Sequence, residues 1–134
     1  MKTRFILFVI LVTVCLFPSC TGNRVISQEQ YMEYAEEIGF LLPDSLRTPE
    51  QDAIRDKMVK IALLNTEVKN NKMRLKIKRD HFVEQGLPGF CYDMIQFDYA
   101  NNNKMFDEVS KTTGISVDVE QLFKEAKEEY LDAE

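Results

Sequence analysis

Few side chains in this 134-residue chain could carry out chemistry, and they form no catalytic pattern. The single histidine, His81, lies next to Asp80, but no serine or cysteine stands at a spacing that would suggest a nucleophile. One histidine and three scattered cysteines also match no metal-ligand spacing. We therefore expect no enzyme activity, no metal site and no cofactor.

Acidic residues recur along a helix that is predicted to start near residue 90. They are Asp93, Asp98, Asp107 and Glu108. Paired carboxylates can act as general acid and base, but these four are scattered along the helix. We interpret them as part of a solvated face. The five glycines form no phosphate-binding loop, so we expect no nucleotide site.

A basic segment interrupts an otherwise acidic chain. The segment between Glu67 and Asp80 contains no acid and six basic residues: Lys69, Lys72, Arg74, Lys76, Lys78 and Arg79. In a β-strand, Lys72, Arg74, Lys76 and Lys78 would share one face. Such a stripe could contact anionic headgroups, with a gain of about 1 kcal/mol per charge near an anionic surface.

Two other interpretations of the basic stripe remain open. Lysines on an exposed strand protect it against pairing with other strands, so the stripe could be a solvated edge. Acidic residues of the last predicted helix could also neutralise the stripe within the molecule. These residues are Glu120, Glu125, Glu128 and Glu129.

The N-terminal residues follow the order that is typical of a secretory signal: basic residues, an apolar run and then a small residue. Lys2 and Arg4 precede a run from Phe5 to Phe17 that is apolar except for one threonine, and the small residue Ser19 follows. A membrane-spanning helix needs roughly 20 apolar residues, so this run is too short for a permanent transmembrane anchor. The segment therefore predicts export followed by cleavage.

The residues Leu16-Phe17-Pro18-Ser19-Cys20 resemble the end of a bacterial lipoprotein signal, in which the cysteine becomes the acylated first residue. The resemblance covers about the first 21 residues. It implies a signal peptide at 1–19 and a lipid on Cys20 that binds the protein to a membrane. With Thr21 directly after the cysteine, the segment resembles lipoproteins that are sorted to the outer membrane. We therefore expect an envelope protein at the outer membrane that faces the periplasm. A plain secretory signal is the alternative.

Removal of residues 1–19 would leave a more acidic protein. Lys2 and Arg4 are the charged residues before Cys20, so their loss changes the formal net charge from −5 to −7. A dedicated nucleic-acid-binding protein usually has more basic than acidic residues, and we therefore expect no nucleic-acid partner. Cys91 would have no disulfide partner. Its neighbours are aromatic, so we interpret it as a buried small hydrophobe, with a reactive thiol as the alternative.

Hydrophobic periodicity predicts a mainly α fold. We expect a small helical domain of about four helices at residues 27–134, preceded by a lipidated tether at 20–26. Ser27 is a candidate helix cap, and the run from Thr48 to Gln51 has the form of a capping box with proline at the first helical position. Gly114 should end a long helix, and Asp118 should begin the last one.

Residues 64–78 have two interpretations. Met73, Leu75 and Ile77 alternate with basic residues, which predicts a β-hairpin with a turn at Asn70-Asn71. This register places Val68 opposite Met73, Thr66 opposite Leu75, Leu64 opposite Ile77 and Glu67 opposite Arg74. Apolar residues also recur every seven positions from Ile54 to Phe82, which would instead continue one long helix to Gln85.

Two functions of different class follow from these features. The absence of catalytic motifs favours a membrane-anchored, non-enzymatic interaction or accessory module with an envelope protein partner. The alternative is a small ligand-binding or hydrolytic lipoprotein with an aromatic pocket formed by Phe90, Tyr92, Phe97 and Tyr99.

Overall fold

The computed structural model describes residues 25–132, which fold into five α-helices and one β-hairpin. The elements are α1 (Gln28–Glu37), a short 3-10 helix (Asp44–Leu46), α2 (Pro49–Leu64), β1 (Thr66–Lys69), β2 (Lys72–Leu75), α3 (Arg79–Glu84), α4 (Gly89–Thr113) and α5 (Val119–Asp132). The mainly helical fold with one hairpin is confirmed. Within residues 25–132, every helix is too short or too polar to span a bilayer.

The predicted signal peptide, Cys20 and most of the predicted tether lie outside the described residues. Val25 and Ile26, which the sequence places in the tether, are partly buried and pack against the hydrophobic core. The folded domain therefore includes these two residues.

Two capping boxes fix the starts of α1 and α2. The Ser27 hydroxyl accepts a hydrogen bond from the Gln30 amide at 3.1 Å, and the Gln30 side chain accepts one from the Ser27 amide at 3.1 Å. Thr48 and Gln51 form the same reciprocal pair at 3.2 and 3.0 Å. Each cap contributes about 1 kcal/mol to helix stability because it satisfies amides that have no partner inside the helix.

The hairpin forms in the predicted register, except at its open end. Asn70 and Asn71 have φ angles of 53° and 60°, which is the left-handed conformation that a two-residue hairpin turn requires. Thr66 pairs with Leu75, and Val68 pairs with Met73. The long-helix interpretation is wrong because two consecutive left-handed residues cannot continue a right-handed helix. The predicted pairing of Leu64 with Ile77 is also absent from the strands.

Side-chain amides attach the hairpin to the helices behind it. Asn103 of α4 accepts from the Met73 amide at 2.8 Å and donates to the Met73 carbonyl at 2.9 Å, so it pairs with the outer edge of β2 as a third strand would. Asn71 donates to the Val117 carbonyl and accepts from the Val119 amide at the start of α5. The hairpin is therefore held in a defined position against α4 and α5.

The 25-residue helix α4 runs through the core and contributes nine buried residues. Phe97 is fully buried and stacks on Tyr31 of α1, with ring centroids 4.7 Å apart. Phe82 of α3 meets Tyr92 edge to face at 5.5 Å. These aromatic contacts dock α1 and α3 against α4.

Candidate functional site

The hairpin and the segment after it present the predicted basic stripe to solvent. Lys72, Arg74, Lys76 and Lys78 are all exposed. Met73 between them is buried and points to the core. Lys72 and Arg74 therefore lie on the outer face of β2, because successive side chains of a strand point to opposite sides. Lys76 and Lys78 follow the end of the strand.

Two residues of the stripe have acidic partners. Arg74 forms an ion pair with Glu67 from the neighbouring strand. Lys72 Nζ lies 4.0 Å from Asp107 Oδ2 of α4. The hairpin register predicts the first pair, whereas the second partner comes from α4 and not from the last helix, which the sequence also suggested as a source of neutralising charge.

The other cations of the hairpin are not neutralised by the described part of the chain. Within residues 25–132, Lys69, Lys76 and Lys78 form no ion pair. Lys69 also lies directly opposite Lys72 across the turn. Like charges at directly opposed positions of a hairpin are destabilising. Asp107 lies beside Lys72, but no described acid pairs with Lys69, so residues 25–132 compensate the positive charge at the tip only in part.

The four aromatic residues predicted to form one pocket are separated by the fold. Phe97 stacks on α1 in the core, whereas Phe90 stacks on Tyr34 with ring centroids 4.9 Å apart. Tyr92 contacts α3, and its hydroxyl donates to the Ile77 carbonyl at 3.2 Å. Tyr99 lies on another side of α4 and lines a cavity. The predicted pocket is therefore not formed by these four side chains together.

The cavity that Tyr99 lines lies between α2, the hairpin, α4 and α5. Its volume is about 50 Å³, and its walls are almost entirely apolar, including Ala62, Met73, Phe106 and Ala126. Pockets that hold typical small-molecule ligands have volumes of roughly 300–1,000 Å³. This cavity is too small for such a ligand.

One of the four predicted solvated acids is in fact buried. Asp98 is fully buried in α4, and its Oδ2 accepts a hydrogen bond from the Tyr31 hydroxyl at 3.2 Å. Burial raises the pKa of Asp98 well above the usual value for aspartate, and the hydrogen bond from Tyr31 opposes this shift only in part. Asp107 and Glu108 are exposed, and Asp93 pairs with Arg79 at 3.0 Å.

The buried carboxyl makes stability depend on pH in a defined direction. Because the pKa of Asp98 is higher in the folded than in the unfolded protein, the folded state binds this proton more tightly. Its contribution to stability is therefore complete below the unfolded pKa of about 3.9 and is lost as the pH rises towards the folded pKa. Asp98→Asn should remove this loss, so the variant should gain stability relative to the wild type as the pH rises from about 4.

Urea denaturation at a series of pH values measures this effect. Glu108→Gln is the matched control, because Glu108 is an exposed acid on the same helix. We expect the difference in the free energy of unfolding between variant and wild type to increase with pH for Asp98→Asn and not for Glu108→Gln. Parallel pH curves for the wild type and Asp98→Asn would contradict the assignment.

The remaining candidate groups show no catalytic arrangement. Cys91 is fully buried, as its aromatic neighbours suggested, and burial raises the pKa of its thiol to about 12. A thiol in this state is a poor nucleophile, because the thiolate is the reactive form. His81 is exposed on α3. Among residues 25–132, no three His, Cys, Asp or Glu side chains come together in a way that could hold a metal ion.

Comparison of the chain with protein-family models, curated proteins and solved structures gives no match.

Proposed function

We propose that the protein is a lipid-anchored envelope protein that acts as a non-enzymatic interaction module. The anchor is an acyl group on Cys20, the cysteine that ends the lipoprotein-like signal. We further propose that it lies at the outer membrane and faces the periplasm. The resemblance of residues 16–21 to lipoprotein signals supports both points.

A short tether would keep the domain close to the bilayer. Since Val25 and Ile26 pack against the core, at most four residues separate Cys20 from the folded domain. Four extended residues span about 14 Å at most. An anchored domain of this kind meets partners that are themselves in or on the membrane.

The basic face of the hairpin is the surface that we propose for the interaction. Lys69 and Lys72 oppose each other at its tip, and this single observation carries the assignment of the surface. An acidic partner surface would relieve the repulsion between the two lysines. Since the mature chain is acidic overall, contact would be restricted to this face. The small volume of the apolar cavity makes the ligand-binding alternative weaker.

Charge reversal on the hairpin tests the proposed surface. The variant Lys69→Glu/Lys72→Glu/Lys76→Glu should lose the partners that are cross-linked to the wild-type lipoprotein in its native envelope, because it replaces attraction by repulsion. The matched control, Lys104→Glu/Lys111→Glu/Lys124→Glu, changes the net charge equally at exposed sites on α4 and α5. The control should keep the partners.

Salt dependence provides a second criterion, since contacts between exposed charges weaken as ionic strength rises. Cross-linking yields for the wild type should fall with added salt. Equal recovery of partners from the hairpin variant and the wild type would contradict the assignment of this surface. So would the absence of any specific cross-linked partner with the wild type.

A further inference from the structure

Three buried polar atoms lie together on α4 and have no hydrogen-bond partner among the described residues. They are Asp98 Oδ1, Asn102 Oδ1 and Asn102 Nδ2, and both side chains are fully buried. More than nine-tenths of the buried polar groups in folded proteins are hydrogen-bonded, because an unpaired group loses its contacts with water and gains nothing in return. We therefore expect the buried side chains of Asp98 and Asn102 to have a hydrogen-bond partner.

The geometry of the helix sets the size of that partner. Asp98 and Asn102 are four residues apart, so their side chains emerge on the same face with Cβ atoms about 5–6 Å apart. The two side chains are not hydrogen-bonded to each other. A molecule that makes two hydrogen bonds of about 2.8 Å can join groups up to about 5.6 Å apart. Water is the smallest molecule that can bridge two polar side chains on neighbouring turns of one helix face.

The neighbouring asparagines do not compete for the site. Asn101 donates to the Phe97 carbonyl at 3.0 Å, and Asn103 is committed to both backbone groups of Met73. The Tyr31 hydroxyl already donates to the other oxygen of Asp98. The remaining capacity of the cluster consists of one carboxyl oxygen, one amide oxygen and the two N–H donors of the Asn102 amide.

We propose that Asp98 and Asn102 hold one internal water molecule. The water accepts a hydrogen bond from Asn102 Nδ2 and donates one to Asp98 Oδ1. Because water both donates and accepts, the site serves either protonation state of the carboxyl. Through Tyr31, the bridge extends the contact between α4 and α1 into a continuous polar chain inside the core.

Magnetisation transfer from water detects this molecule directly. In NMR of the ¹⁵N-labelled full-length protein in detergent micelles, the Asn102 side-chain amide should show a cross-peak to water with the sign typical of a long-lived bound molecule. The side-chain N–H of Asn103 that donates to the Met73 carbonyl is the internal control, and this proton should lack the cross-peak. Asp98→Leu should abolish the Asn102 cross-peak. An Asn102 amide without a cross-peak to water in the wild-type protein would overturn the proposal.

The urea midpoint of Asn102→Leu gives an independent answer. If water bridges the two residues, leucine removes a hydrogen-bonded group and leaves Asp98 Oδ1 unpaired, so the midpoint should fall. If Asn102 simply has no partner, leucine of similar size relieves an unfavourable burial and the midpoint should rise. A rise would overturn the proposal. Should the variant fail to fold, the wild-type cross-peak still decides.

Discussion

Phe97→Ala is expected to destabilise the fold by about 3–5 kcal/mol. The Phe97 ring is fully buried and stacks on Tyr31 with centroids 4.7 Å apart, so its removal leaves a cavity at the junction of α1 and α4. Small domains have a free energy of unfolding of only about 5–15 kcal/mol. The single substitution Phe97→Ala would therefore remove a large part of the free energy of unfolding of the domain.

Denaturation in urea, with the intrinsic fluorescence of tyrosine as the signal, measures this loss. Phe123→Ala is the matched control, since Phe123 is only partly buried, at the edge of the core. Phe123→Ala removes the same ring from a site where less apolar surface is buried, so the decrease in the free energy of unfolding should be clearly smaller. Equal losses in the two variants, or a stable Phe97→Ala, would contradict the packing described for α1.

Cys20→Ala is expected to abolish the lipid anchor of the protein. Stable anchoring of a protein by lipid requires covalent acyl chains, each buried CH₂ contributing about 0.8 kcal/mol. The described helices offer no transmembrane span that could replace them. We therefore expect the wild type in the membrane fraction and the variant either in the soluble fraction or retained with an uncleaved signal.

Fractionation of cells that express each form at equal levels gives the result, and the apparent mass shows whether residues 1–19 are still attached. The matched control is Cys91→Ala, which removes a buried thiol from the folded domain. It should leave the protein in the membrane fraction. A processed Cys20→Ala chain that still sediments with membranes would show that another feature provides the anchor.

Local features of the fold could be predicted from the sequence because they depend on neighbouring residues. The Thr48 capping box requires only four consecutive residues, and the turn at Asn70-Asn71 requires a pair that tolerates positive φ. The hairpin register then followed from the alternation of apolar and basic residues. The seven-residue repeat of apolar residues, which predicted one long helix, was misleading because the turn at Asn70-Asn71 interrupts the helix.

Long-range polar contacts could not be predicted in the same way. Asn103 and Met73 are 30 residues apart, and the Asp98 partner Tyr31 is 67 residues away. Whether an amide or carboxyl faces the core depends on how the helices pack, which no local pattern specifies. A signal was nonetheless present for Asp98, since it stands four residues after Met94 and seven before Met105 on the apolar stripe of α4.

The composition of the candidate interaction site and one of its two ion pairs could be predicted from the sequence. Alternation predicts one exposed face for Lys72, Arg74, Lys76 and Lys78; all four are exposed, and the first two lie in β2. The register also predicts the pair of Glu67 with Arg74, which is confirmed, whereas Asp107, the partner of Lys72, was not predicted. The position of a helix relative to a hairpin is a tertiary property, so charge alone could not identify Asp107.

Metabolic labelling with a clickable fatty acid tests the lipid anchor most directly. We expect label on the wild-type protein and on Cys91→Ala, and none on Cys20→Ala. A wild-type protein that never takes up label, or label that persists after Cys20 is replaced, would contradict it.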